Sequence, residues 1–96
     1  MLIEHPQGKA KQVAAGFSYL GAVYLDIGET EQALENLKIC HTHYRALYAA
    51  DSTDYYKDKI ATIYQYLRMA HNTLGDLDQT LIYYEQFNQL TKERYQ

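Results

Sequence analysis

The densest cluster of reactive side chains in the sequence is Lys38-Ile39-Cys40-His41-Thr42-His43-Tyr44. It holds the only cysteine of the chain and two of its four histidines. Two chemistries use such residues: a zinc site built from Cys and His ligands, and a thiolate nucleophile activated by a neighbouring imidazole. Spacing argues against both. Residues on an α-helix follow one another at about 100°, so Cys40 and His43 share a face while His41 points elsewhere. A structural zinc site needs four ligands, and the remaining histidines are His5, near the N-terminus, and His71, far along the chain. A reactive thiolate needs exposure beside its base. Cys40 instead falls on an apolar stripe, where cysteine serves as a small core residue and leaves His41 to the surface. The carboxylates Glu29, Glu31, Asp76 and Asp78 sit where helices begin, and helix starts and solvation account for them. No glycine-rich phosphate loop is present. The expectation is a non-enzyme with no metal site and no cofactor.

Composition sets the outer limits. The chain has 96 residues, nine basic and twelve acidic, for a net charge of −3. A chain of this length buries only roughly 60–65% of the surface it exposes when unfolded, so its core is modest. No Lys/Arg run could track a phosphate backbone, which argues against nucleic acid. No apolar run approaches the roughly 18–20 residues that span a bilayer, and the N-terminus lacks the apolar stretch of a signal peptide. One cysteine excludes an internal disulfide and suits a reducing compartment. The expectation is a soluble, cytoplasmic chain with no membrane partner. The single proline is Pro6, and a long proline-free stretch favours helices.

The elements that position these residues come from a repeat. Sliding the chain by 47 residues lays residues 10–49 on 57–96 without a gap, with seven identities, among them Tyr19/Tyr66, Leu20/Leu67, Gly28/Gly75 and Leu34/Leu81. Each unit reads as two helices. In the first, Val13, Phe17, Leu20, Tyr24 and Ile27 recur at helical steps. Gly28 stops that helix, and Ala33, Leu37, Cys40, Tyr44 and Tyr48 form the next stripe. In the second unit Ile60, Tyr64, Leu67, His71 and Leu74 precede Gly75. Asp76 and Gln79 then make a capping box, and Thr80, Tyr84, Phe87 and Thr91 continue inward. The spacing predicts an all-α chain of four antiparallel helices near 9–27, 30–49, 54–74 and 77–94. They form two tandem helix-turn-helix hairpins, 10–49 and 50–96, after a flexible segment 1–9.

Phe17-x2-Leu20-Gly21-x2-Tyr24, followed by Gly28 and by Ala33-x3-Leu37, resembles the tetratricopeptide repeat (TPR) family. The second unit matches through Tyr64-x2-Leu67, Gly75-Asp76 and Thr80-x3-Tyr84. The longer phrasing is similar to the long-period repeats of bacterial signalling proteins. The period of 47 exceeds the family's usual 34. Arg68 stands where Gly21 allows a close helix crossing, His71 stands for Tyr24, and the closing proline is absent. The resemblance implies an α-solenoid fragment of a larger array, a scaffold that binds protein or peptide on its concave side. The implied groove residues are Ser18, Tyr19, Ala22 and Asp26 in the first unit, with Gln65, Tyr66, Met69 and Asn72 in the second. The Lys/Asn clamp that holds C-terminal carboxylates in some members is not visible, since Ser18 and Ala22 stand where it would begin.

Two alternatives remain open in the sequence. The last helix carries apolar residues on more than one face, so Tyr83, Phe87 and Leu90 could make a homodimer. A peptide-sensing regulatory domain would need further helices to close a pocket.

Overall fold

The computed structural model describes residues 6–92, with side chains from residue 8 onward. Four helices follow one another: α1 (Pro6–Asp26), α2 (Thr30–Ala50), α3 (Asp54–Thr73) and α4 (Leu77–Lys92). Their punctuation is local chemistry. Pro6 opens α1, a position where its missing N–H costs nothing. The helix therefore takes in residues 6–8, ahead of the start expected near 9 and inside the segment 1–9 expected to be flexible; residues 1–5 lie outside the described residues. Gly28 and Gly75 hold φ of 83° and 78°, the left-handed conformation that glycine adopts without strain. Beyond each glycine the next N–H reaches back five residues, Glu29 to the Tyr24 carbonyl at 2.8 Å and Asp76 to the His71 carbonyl at 2.9 Å. Both hairpins thus close with the same Schellman geometry. The Asp76 carboxylate accepts from the Gln79 N–H at 3.2 Å, and the Thr53 hydroxyl from the Tyr56 N–H at 3.4 Å.

The hairpins lie side by side. The Cα atoms fill 50 × 35 × 16 Å, a slab too thin for a compact four-helix bundle. α2 and α3 form the joint between units, α1 packs on α2 and lightly on α3, and α4 packs along α3 alone. The core is Ala14 from α1, Ala33, Leu37, Cys40, Tyr44 and Leu47 from α2, and Tyr56, Ile60, Ile63 and Leu67 from α3.

Two stripes differ from the sequence expectation. Of the first stripe, Val13 and Leu20 in α1 and Ile27 just beyond it are exposed, and the buried positions of α1 are the small Ala14 and Gly21. A Cβ added to Gly21 would stand 2.6 Å from Leu37 Cδ2, so glycine is what lets α1 and α2 cross so closely. In α4 Tyr84 is exposed rather than inward, and no α4 residue is fully buried. The cause lies opposite: Arg68 replaces the crossing glycine, and its guanidinium lies 5.9 Å over the Tyr84 ring. The second hairpin is therefore the looser copy.

Candidate functional site

Between α1 and α3 lies an open hollow of about 290 Å³ lined by Ala15, Ser18, Tyr19, Ala22, Tyr44, Lys59, Thr62 and Tyr66. Four of the eight groove residues named from sequence meet there: Ser18, Tyr19, Ala22 and Tyr66. Asp26, Gln65, Met69 and Asn72 do not line it. Gln65 instead accepts a 3.3 Å hydrogen bond from Arg68, and Asp26, Met69 and Asn72 are exposed elsewhere. The two identical tyrosines differ in setting. Tyr19 is 71% exposed, whereas Tyr66 is half-buried against the core. Tyr66 packs against the core cluster, and Tyr19 stands clear of it.

Four lining residues were missed in the sequence. Ala15 precedes Tyr19 by four residues, and Lys59 and Thr62 precede Tyr66 by seven and four, so stepping backward along the same helical faces would have found them. Tyr44 was assigned to the core and is only 1% exposed; its ring forms the floor. Burial pushes its hydroxyl up to about 12, with smaller contributions from Cys40, Tyr55 and Tyr56. Lys59 is the one basic residue of the lining, and it shares the Tyr55 ring with Lys11. Lys59 and Lys11 place their Nζ atoms 5.4 and 4.2 Å from the centroid of the Tyr55 ring.

Cys40 lies under this floor, fully buried. Burial pushes its thiol up to about 11, against weaker opposing effects of a hydrogen bond with the Ser18 side chain and the charge of Lys59. Its burial and its raised value both favour the protonated thiol, the form of a core cysteine. The two histidines beside it go different ways. His43 stacks on Phe17 with ring centroids 6.2 Å apart. His41, expected at the surface, is half-buried and meets the Tyr64 ring edge-on at 5.1 Å. The longer reach of histidine carries it into the α2–α3 joint, where its Nε2 is buried without a hydrogen-bond partner. Among the described residues no group of three or more His, Cys, Asp and Glu is placed to hold a metal ion. Among the described residues no helix is long and apolar enough to cross a membrane.

The self-association residues named from sequence face inward. Tyr83 lies 5.9 Å from Tyr64 and stacks on His71 at 5.6 Å, Leu90 packs against the core, and Phe87 is half-buried. These three share one helical face, and α3 takes it. The outward face of α4 carries Leu77, Leu81 and Tyr84 instead.

No family model, no curated protein and no solved structure matches the chain.

Proposed function

We propose that the chain is a non-catalytic interaction module that holds a peptide segment of another protein in the α1–α3 hollow. The observation that carries this reading is Tyr19. A large aromatic standing 71% exposed at the rim of a concave site, opposite Tyr66, offers apolar area and a polar tip at little entropic cost. The hollow is sized for one or two side chains, and Lys59 at its edge favours a segment with a carboxylate nearby. The TPR resemblance points to the same surface. A scaffold within a larger array is the setting that resemblance implies, and the single cysteine suits the reducing cytoplasm.

The test is selection of a random peptide library on the immobilised protein. Enriched sequences should bind the wild type and lose about 100-fold or more in affinity for the Tyr19→Ala/Tyr66→Ala variant. Helix content by circular dichroism should stay unchanged. Peptides that bind the folded double variant equally well would place the binding surface elsewhere.

A further inference from the structure

The repeat relates three surfaces of the molecule. At the α2–α3 joint, α3 contributes Ile60, Ile63 and Leu67, exposed 3%, 1% and 0%. Their equivalents one repeat earlier are Val13, Gly16 and Leu20. These three, with Gln12 and Phe17, line an open apolar hollow of about 570 Å³ on the outer side of α1. On the α2 side of the joint His41 meets Tyr64, and Leu37, one turn before it, is fully buried against Gly21 of α1. The equivalents of Leu34, Leu37, Lys38 and His41 are Leu81, Tyr84, Glu85 and Asn88. Those four line another open hollow, of about 470 Å³, on the outer side of α4. The two halves of the internal joint are thus displayed again, uncovered, at opposite ends of the slab.

Residue sizes change in opposite senses between the buried joint and its uncovered copy. Leu37 becomes the larger Tyr84, and Ile63 becomes Gly16, where an added Cβ would meet nothing within 4 Å.

We propose that the α4 face around Leu81, Tyr84 and Asn88 of one molecule docks the α1 face around Val13, Gly16 and Leu20 of a second copy of this chain, repeating the α2–α3 joint between molecules. The contact is head-to-tail, so each molecule in a row keeps one free face of each kind and the assembly does not stop at two. The peptide hollow between α1 and α3 is left open.

The test uses sedimentation equilibrium from about 10 μM to about 1 mM, the range of weak specific contacts. Gly16→Arg blocks the α1 face and improves helix propensity, and Leu81→Arg blocks the α4 face at a residue 64% exposed, so both should keep wild-type helix content. The wild type should rise in average mass past the dimer. Each variant alone should stay monomeric, and an equimolar mixture should form a dimer and no more, through the one intact face of each. A wild type that stays monomeric throughout would overturn the proposal. So would a Gly16→Arg protein that dimerises alone, which marks a symmetric α4–α4 contact, or a mixture that stays monomeric.

Discussion

Leu37→Ala is expected to cost about 2–5 kcal/mol of stability, and Tyr84→Ala, the same position one repeat later, about 1 kcal/mol or less. Leu37 is fully buried, and Gly21 brings the α1 backbone down onto it. Removing its methyl groups opens a cavity that two closely crossed helices cannot collapse. Tyr84 is half in solvent on a helix with no fully buried residue, and Arg68 props it outward. Against a total of about 5–15 kcal/mol for a domain, the first change is severe and the second minor. Urea unfolding of both variants measures this directly. Equal losses at the two positions would mean that the hairpins are packed alike, contrary to the structure.

Stability should also fall as the solution is acidified below about pH 6.5, the ordinary histidine value. His41 is held below that value first by burial in the α2–α3 joint and then by Arg45. His71 is held below it by burial and by Lys38, with Asp76, 3.7 Å from Nδ1, pulling the other way. A histidine lowered in the folded chain stays neutral there while its unfolded counterpart takes up a proton. Stability from these groups is therefore full above the unfolded value and is lost as pH falls towards the folded one. The slope is at most about 1.4 kcal/mol per pH unit for each histidine. His41→Leu should flatten the profile more than His71→Leu, because Asp76 offsets part of the effect at His71. Urea midpoints across this range decide it. A variant whose pH profile matches the wild type would show that His41 carries no proton linkage to folding.

Helix positions and turns were legible because their signals are local. Gly28, Gly75, Thr53 and Asp76 each impose a backbone conformation or a cap whatever surrounds them. Facing was less legible. The stripe Val13–Leu20–Ile27 looks like a core row, yet the core side of α1 is written in Ala14 and Gly21, whose smallness carries no hydrophobic signal. Arg68 was readable as a disturbance, but where it would lead Tyr84 depends on the neighbouring helix. Half of the groove set was found because Ser18, Tyr19, Ala22 and Tyr66 sit where the two first helices of the hairpins approach. Asp26, Met69 and Asn72 lie farther along, where α1 and α3 no longer enclose a hollow. The sequence offers Tyr83, Phe87 and Leu90 as a pairing face, with Phe87 also on the inward stripe, because a single helix pattern cannot say which of two apolar faces its neighbour takes.

The central claim is that the α1–α3 hollow is a peptide site, and NMR titration of labelled protein with a library-selected peptide tests it most directly. The account predicts shifts concentrated at Ala15, Ser18, Tyr19, Ala22, Lys59, Thr62 and Tyr66, with the outer face of α4 unmoved. Shifts centred on Leu81, Tyr84 and Asn88, with the hollow silent, would contradict it.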